Sequence, residues 1–511
     1  MKTRLSIVVT LALLLAGCGG EKTAGSAGAK DTLVIEVQSS PTNLDARIGN
    51  DQVTGRMMDL IYSGLVKVTP EMDYAPDVAE KWEISPDGRT ITFHLNPKAK
   101  FQNGQPVRAA DVKWTYDSLM DPKFMTPKKS GYAVLDHIET PDDHTVVFKL
   151  KEPNGGLFDN LTLGIMPSGA DTNVYKTKPI GAGPYKVVDF RPDDRLVLEA
   201  FDQWHGGAPK IKHVIVRIIP DATTRVLELR RGTVNFEVNN IPFENVGEFD
   251  KNADFNVVKK PGSVYQYLAF NLKDPILAKL QVRQAIAYAI DRERIARDVM
   301  RGYAVPTDSI FGQGHWARAE NLPTYPYDPS KAKQLLDAAG YRDPDGDGPK
   351  PRFTLSFKTS TDAEANLRAQ VIQQMLKEVG INVSIESREF GTFLDDISKG
   401  NFQMYSLSRN GVQDPDFLFV IFYSKNIPPE GQNRGYYSNP KLDQLLVDGR
   451  STFDRAKRKE IYGEAQKILQ EDLPYLSLYH QVNVAVMRKN IDGYVMYPAG
   501  FLLSVPQMSI H

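Results

Sequence analysis

Residues 181–232 read GAGPYKVVDFRPDDRLVLEAFDQWHGGAPKIKHVIVRIIPDATTRVLELRRG, and this stretch decides the fold. Its opening Gly-Ala-Gly-Pro is a turn built from residues that tolerate or preset unusual φ values. Alternating apolar residues then predict three strands. These lie at residues 185–188, 195–199 and 211–218. The run that begins at Pro220 predicts a helix that ends before Gly232. Strands followed by a helix indicate a mixed α/β protein.

The motifs of this stretch occur in an order that resembles one known family. GxGPY is followed by a hydrophobic hairpin, an aromatic turn at Phe201 and Trp204, and IPDAxxRxxxLxxG at residues 219–232. The same order is found in solute-binding protein family 5 of ABC importers, the peptide- and nickel-type binding proteins. PDVAEKWEISPDGRTITFHL at residues 76–95 supports the resemblance. It implies a periplasmic-binding-protein type II fold, α/β, with two hinged lobes and an extra inserted α/β subdomain.

The resemblance also divides the chain into segments. Lobe I is assembled from separate pieces, lobe II is continuous, and the subdomain is inserted into lobe I. The predicted segments are 32–65, 181–271 and 490–511 for lobe I, 66–180 for the insert, and 272–489 for lobe II. Inside the insert, two polar turns each precede an alternating strand, at residues 85–95 and 140–150. We interpret them as two hairpins of one small sheet.

The N-terminus has the pattern of a lipoprotein signal. Two basic residues precede an apolar run at residues 5–16, which is too short to span a bilayer. The run ends in Leu-Ala-Gly-Cys, which resembles a lipobox that is cut before Cys18. We therefore expect a signal peptide at residues 1–18, a flexible tether at 19–31, and lipid attached to Cys18. The protein is expected in the periplasm or at the cell surface, anchored to the membrane by that lipid.

Composition and missing motifs exclude several classes of function. A net charge of −1 gives no field for nucleic acid. Cys18 is the only cysteine, so the folded body has no disulfide and no catalytic thiol. GxSxG, HExxH and GxxxxGK[ST] do not occur, and we expect no catalytic residues, metal or cofactor. Residues 343–348 resemble the start of a calcium loop, but Thr354 stands where that loop needs a carboxylate, which favours an ordinary acidic turn.

Regular periodicity continues in the C-terminal half. An apolar stripe predicts a helix at residues 361–379, stopped by Gly380, and a strand directly after it. Two further strands are predicted at residues 475–479 and 482–486. Arg283 falls on the expected wetter face of an earlier helix.

Two groups of residues are candidates for the ligand cleft. Ser39, Ser40 and Pro41 follow the first strand, and proline interrupts strand pairing there. In the family this loop lines the cleft, although a plain surface loop is an equal alternative. Tyr265 and Tyr267 share one face of a strand that resembles the family's crossing strand between lobes. Core packing is the alternative for both tyrosines.

The region from residue 386 to 419 provides the remaining candidates. By resemblance, Phe390 walls a side-chain pocket. Residues 402–416, FQMYSLSRNGVQDPD, match the segment that in peptide binders carries an aspartate for the ligand's α-amino group. Gly411 stands at that position, or Val412 by a second count, so this anchor is missing. Arg409 and Asn410 directly precede it.

The missing anchor leaves two interpretations of the ligand. Asp414 or Asp416 could reach the ligand's amine instead. Alternatively, Arg409 provides a positive charge that favours an anionic ligand, since a buried charge without a partner is costly. Solvent exposure of Arg409 is the third alternative.

The sequence thus predicts a lipid-anchored extracytoplasmic receptor. It captures a peptide or peptide-like solute and delivers it to the permease subunits of an ABC transporter, as a monomer. One alternative keeps this role with a non-peptide ligand such as an opine, an oligosaccharide or a metal chelate. Alternatives of other classes are an exported hydrolase and a structural or chaperone-like envelope protein.

Overall fold

The computed structural model describes residues 30–346, 348–429 and 431–511. Strands and helices alternate along this part of the chain, with short 3-10 turns at Lys129–Tyr132 and Val505–Gln507 and a π-helical turn at Ile295–Val299. The strands are β1 Thr32–Val37, β2 Val66–Val68, β3 Tyr74–Pro76, β4 Ala79–Ile84, β5 Thr90–Leu95, β6 Leu135–Asp142, β7 Thr145–Leu150, β8 Tyr185–Arg191, β9 Arg195–Ala200, β10 His213–Ile218, β11 Phe236–Val238, β12 Phe255–Phe270, β13 Ala304–Pro306, β14 Phe353–Ser360, β15 Ile381–Arg388, β16 Met404–Arg409, β17 Tyr475–Arg488, β18 Ile491–Asp492 and β19 Ser509–Ile510. The α-helices are α1 Gln52–Ile61, α2 Ala109–Met120, α3 Leu157–Asn160, α4 Thr172–Tyr175, α5 Ala222–Arg231, α6 Phe243–Asp250, α7 Leu280–Ala289, α8 Arg292–Arg294, α9 Pro329–Ala338, α10 Ala363–Lys377, α11 Phe390–Ser398, α12 Phe417–Phe422, α13 Pro440–Ser451 and α14 Arg455–Asp472.

One long sheet organises the molecule. Its strand order is β15-β14-β16-β12-β17-β11-β1-β10-β9-β8, with β13 paired to β17 at the side. Four packed cores lie along it in two pairs. Two cores flank the half with β11, β1, β10, β9 and β8, which we call the first lobe. The other two flank the half with β15, β14 and β16, which we call the second lobe.

Strand β1 shows why the first lobe is covered on both faces. All six of its residues are buried. Leu33 and Ile35 pack against the core that contains α1, whereas Val34 packs against the core that contains α5 and α6. Because successive side chains point to opposite faces, a strand with a helical layer on each side has no polar alternation.

Strands β12 and β17 join the two lobes. They pair antiparallel from Phe255 opposite Arg488 to Ala269 opposite Tyr475, with an irregular step between Pro261 and Tyr265. The N-terminal half of β12 lies in the first lobe and its C-terminal half in the second. The hydrogen-bond ladder between β12 and β17 is interrupted where their register shifts, and a two-stranded ribbon bends most easily at such an irregularity. The sheet is therefore continuous from one lobe to the other through this irregular step.

The insert forms a separate sheet of order β4-β5-β7-β6. Its two central strands, β5 and β7, alternate buried and half-buried residues, with Phe93 and Phe148 packed edge to face at 5.3 Å. The two predicted hairpins are therefore confirmed as parts of one small sheet. The exact segment boundaries predicted from the sequence stay a prediction.

Local signals placed most elements correctly. The strands of the 181–232 stretch are β8, β9 and β10, and α5 begins after its N-cap Asp221 and ends at Gly232, whose φ of 80° needs glycine. Two predictions are wrong. The strands predicted at 475–479 and 482–486 are one strand, β17, because β12 pairs with both parts. Arg283 is buried at 5% exposure, since its guanidinium donates to backbone carbonyls, including that of Leu473.

Neither a membrane span nor a metal cluster is found in the part of the chain that the structure describes. None of its helices has the length and apolar character that crossing a bilayer requires. No three His, Cys, Asp or Glu side chains there come together to hold a metal ion. The predicted signal peptide, the lipidated Cys18 and most of the tether lie outside the described residues.

Candidate functional site

The carboxyl ends of strands from both lobes face each other across the hinge. Parallel strands β1 and β11 end at Val37 and Val238, and Val238 is aligned through β17 with residue 258 of β12. From the second lobe, β16 ends at Arg409, opposite Tyr265 of β12. The carboxyl ends of β1 and β11 in the first lobe therefore face the carboxyl end of β16 in the second lobe, on either side of residues 259–264 of β12. In open α/β sheets, ligands bind outside the carboxyl ends of the strands.

A first cavity lies on the α1 side of this gap, and we call it the α1 cavity. Its volume is about 310 Å³, near the lower end of the range of about 300–1,000 Å³ for small-molecule sites. Residues of α1, of the insert and of the C-terminal segment line it, and Gln413 extends to it from the second lobe. Its polar and charged residues are Asn50, Asp59, Lys67, Asp77, Lys128, Asp159, Asn160, Thr162 and Gln413.

The charged groups of the α1 cavity have unusual surroundings. Burial raises the pKa of Asp59 to about 7, and its carboxylate accepts the N–H of Leu502 at 2.9 Å. Burial also raises the pKa of Asp159 to about 7, and the nearby negative charge of Asp414 adds to that shift. Burial lowers the pKa of Lys128 to about 8. Acids and bases whose neutral forms are favoured mark a site shielded from bulk water.

A second cavity of about 840 Å³ lies between the N-terminal ends of α6 and α10. Gln38 and Asn239 line it from the first lobe, at the ends of β1 and β11, and Asp362 and Glu364 line it from the second. Asn239 also fixes the hinge, since its Oδ1 accepts the N–H of Val484 at 2.8 Å. This cavity is the wider and more polar part of the gap.

The serine loop predicted to line the cleft is tied to another part of the first lobe. The Ser40 hydroxyl accepts the N–H of Asp193 at 2.6 Å and lies 2.9 Å from that residue's carboxylate. Ser39 is exposed and Pro41 is buried. These three residues line neither of the two cavities, although their neighbour Gln38 lines the second. Their geometry is that of the surface-loop alternative.

Tyr265 and Tyr267 do share a face, but that face is packed. Both are 2% exposed, and their rings stack at 5.4 Å. The Tyr265 hydroxyl is 2.8 Å from that of Ser477, and Tyr267 stacks on Tyr475 at 4.6 Å. Buried tyrosines whose hydroxyls or rings are already engaged match the core-packing alternative. A ligand role for them stays a prediction.

The segment after β16 does reach the gap between the lobes. The Arg409 guanidinium donates to Gln432 at 2.6 Å and lies 5.5 Å from the ring centre of Phe417, while its Nε is buried without a partner. Asn410 is exposed. Gly411 has a φ of 63°, and a side chain there would lie 3.8 Å from Ala499 of the C-terminal segment. The missing anchor position therefore faces the other lobe.

The two aspartates offered as replacements are already neutralised. Asp414 is 5% exposed and accepts two hydrogen bonds from Arg458, at 2.7 and 3.1 Å. Asp416 accepts two from Arg450, at 2.8 and 2.7 Å. A ligand amine would have to displace an arginine to reach either carboxylate. Such bidentate pairs are strong, so this geometry opposes the replacement.

Phe390 opens α11 and is 52% exposed, with its ring 6.3 Å from that of Phe393. It lines neither of the two cavities. Its predicted pocket role stays a prediction.

Sequence reasoning missed the residues of the α1 cavity. One signal was available: Asp159 is a carboxylate inside the mostly apolar run GLFDNLTLG, where an ionised group is expensive. The other members could not be grouped in advance, because α1, the insert and the C-terminal segment meet only in the folded chain.

Comparisons with known proteins agree with this architecture. A family model described as bacterial extracellular solute-binding proteins, family 5 Middle, matches residues 73–429. The oligopeptide-binding protein AppA of Bacillus subtilis (strain 168) is 28% identical, over 98% of this chain and 97% of its own. The glutathione-binding protein GsiB of Pectobacterium atrosepticum is 29% identical, over 95% and 96%.

A solved structure supports the fold directly. NikZ from Campylobacter jejuni in complex with Ni(L-His) superimposes with a TM-score of 0.78 at 26% identity, over 94% of this chain and 100% of its own. The periplasmic-binding-protein type II fold with two lobes, predicted from the sequence, is confirmed.

Proposed function

This chain belongs to the bacterial extracellular solute-binding proteins of family 5, and from that premise we propose that it captures a peptide or peptide-like solute between its lobes and delivers it to an ABC importer. Membership makes it an extracytoplasmic solute-binding protein that works with ABC permeases. The matched relatives are binding proteins rather than enzymes. One observation carries the proposal: a polar cavity is lined by residues of the first lobe, of the insert and, through Gln413, of the second lobe.

The mechanism we propose is reversible closure without covalent chemistry. A solute in the α1 cavity contacts the first lobe, the insert and Gln413 of the second lobe at once. Contacts made to both lobes favour the closed state over the open one, in proportion to the difference in affinity. The permease then recognises the closed form. Attachment through lipid on Cys18 would keep the receptor beside that permease.

Binding should be visible as thermal stabilisation. We expect Tm to rise in the presence of the true ligand when the purified protein is heated with a library of peptides, sugars, amino-acid derivatives and metal chelates. A ligand at 100 times its Kd contributes about 2.7 kcal/mol to the stability of the folded state. Mass spectrometry of the same mixture should recover the ligand unchanged. A library in which nothing raises Tm, or a hit that is converted to product, would contradict the proposal.

The second candidate is an anionic ligand in the same role, and the buried, unpartnered Nε of Arg409 favours it. For such a ligand, Arg409→Ala should weaken binding by about 1.5–3 kcal/mol, as expected for a charge-assisted hydrogen bond. Isothermal titration calorimetry measures this loss. Arg388→Ala is the matched control, because Arg388 is a half-exposed arginine of the same lobe. An unchanged Kd in Arg409→Ala would remove Arg409 from the site.

A further inference from the structure

The α1 cavity contains acidic groups that the chain leaves without a basic partner. Three aspartates line it. Asp77 is held by His205 at 2.8 Å, whereas Asp59 accepts a backbone N–H from Leu502 and feels the positive charge of Arg56 without forming an ion pair with it. Asp159 accepts the Tyr74 hydroxyl at 3.4 Å, a long contact. Across residues 30–346, 348–429 and 431–511, no ion pair involves Asp59 or Asp159.

The lysines of the cavity do not compensate Asp159. Lys128 donates to the carbonyl of Ala46 at 2.6 Å, and the carboxylate nearest to its charge is Asp45. The charges that act on Asp159 are those of Asp414 and Asp416, which are both negative. Each of those two is occupied by its own arginine. Within the described part of the chain, Asp159 is therefore a shielded carboxyl group without an ion-pair partner.

A shielded carboxylate without a counter-charge is unfavourable unless something else supplies the positive charge. We infer that Asp159 is the counter-charge for a cationic group of the ligand, a protonated amine or a guanidinium, and that it takes the place of the aspartate missing at Gly411. The inference rests on the proposed function and names the class of its substrate. The ligand is a small solute with a cationic group.

The walls of the cavity fit this class. Tyr62 and Tyr132 line it together with Phe501, and aromatic surfaces accept the apolar carbons next to a cation. Gln413 is the residue of the second lobe among those that line the cavity, and a carboxamide can bond to either end of a peptide group. A ligand whose cationic group lies at Asp159 and whose other atoms contact Gln413 bridges the lobes.

Affinity should then depend on pH in a defined direction. Asp159 has a pKa near 7 in the empty protein, with Tyr74, Asp414 and Asp416 as the titratable groups that act on it and Lys128 and Asp59 in the same cavity. Only the ionised carboxylate attracts a cation. In the protein molecules whose Asp159 is protonated, the carboxyl group must therefore lose its proton when the cation binds. Wild-type affinity for a permanently cationic probe should rise about tenfold from pH 5.5 to 7.

The test uses compounds in matched pairs. Trialanine is compared with N-acetyl-trialanine, which lacks the ammonium group. Agmatine is compared with N-acetyl-4-ureidobutylamine, in which an amide replaces the ammonium and a urea replaces the guanidinium. Binding is measured by thermal shift and then by calorimetry on the full-length protein. We expect the member that has the cationic group to bind and the member that lacks it to fail. Asp159→Asn, which keeps the shape and removes the charge, should weaken the cationic member by about 10- to 100-fold. Asp136→Asn, on an exposed site of the same insert, should bind as wild type.

The possible outcomes distinguish failure of the role of Asp159 from failure of the receptor function. Equally tight binding of the compounds that lack the cationic group, or an unchanged Kd in Asp159→Asn, overturns the role of Asp159 and leaves the receptor function intact. If Asp159→Asn does not fold, the pH dependence of wild-type binding decides, and an affinity that is flat from pH 5.5 to 7 overturns the inference. If no compound binds to wild type and no solute is carried through purification, the proposed function fails as well.

Discussion

Replacing Arg458 by alanine is expected to lower the free energy of unfolding by about 3–5 kcal/mol, the usual cost of removing one partner from a buried ion pair. The guanidinium is 7% exposed and the carboxylate of Asp414 is 5% exposed. Two hydrogen bonds join them, at 2.7 and 3.1 Å, and the Nε donates to the carbonyl of Gly449 at 3.2 Å. Alanine leaves the carboxylate of Asp414 buried and without a counter-charge.

Chemical denaturation of the variant and wild type measures this loss. Arg297→Ala is the control, since Arg297 is 67% exposed and its pair with Asp298 lies in water, where removal costs about 0–1 kcal/mol. The double variant Asp414→Ala, Arg458→Ala should lose less than the sum of the single losses, because neither charge is then left alone. A loss below about 1 kcal/mol in Arg458→Ala would show that water reaches the pair.

Glu36→Gln is expected to stabilise the protein above neutral pH. Glu36 on β1 and Glu237 on β11 are both 0% exposed, and they neighbour each other because Ile35 pairs with Phe236. Neither oxygen of Glu36 has a hydrogen-bond donor. Burial raises the pKa of Glu36 to about 7 and that of Glu237 to about 8, the latter also through the charge of Glu36.

The nearby arginines do not cancel this effect. Arg225 donates four hydrogen bonds to the backbone carbonyls of Ile219, Pro220 and Asn240, and Arg217 pairs with Glu228. Their charges lower the pKa of Glu36, but burial is the larger influence. The folded protein thus prefers both carboxyl groups in their neutral form.

The sign of the pH dependence follows from proton counting. Between pH 4.5 and about 8 the folded protein keeps protons that the unfolded chain releases, so its stability falls as the pH rises. A folded pKa near 7 in place of 4.5 corresponds to about 3 kcal/mol lost at pH 8, which Glu36→Gln should recover. Denaturation at pH 5 and pH 8 tests this, with Glu460→Gln on the exposed face of α14 as control. A Glu36→Gln curve parallel to that of wild type would contradict it.

The elements that could be predicted are those fixed by nearby residues. Gly181–Pro184, Asp221 and Gly232 set dihedral angles and caps by their own chemistry, and the strands and helix they bound were found where predicted. The helix α10 followed from one apolar stripe in the same way. These signals do not depend on residues that are distant in the sequence.

The predictions that were wrong or missing concern features formed by residues far apart in the sequence. Arg283 was predicted on a wetter face because only part of its environment is local: Leu277 and Ala278 provide two of its acceptors, and Asp472 and Leu473, about 190 positions later, provide the others. The gap between the strands predicted at 475–479 and 482–486 lies in the middle of β17. The α1 cavity could not be predicted for the same reason. Asp159 of the insert and Leu502 of the C-terminal segment are far apart in the sequence, and they come together near helix α1 only in the folded chain.

The C-terminal half of β17 brings the chain back to the first lobe, and this sets the order in which the two lobes can finish folding. Strand β11 obtains its partner on one side only when residues 485–487 arrive, although its own residues are made 250 positions earlier. A chain that emerges N-terminus first therefore finishes the second lobe while the first still has an open edge. The last residues to leave the ribosome close the half that was begun first.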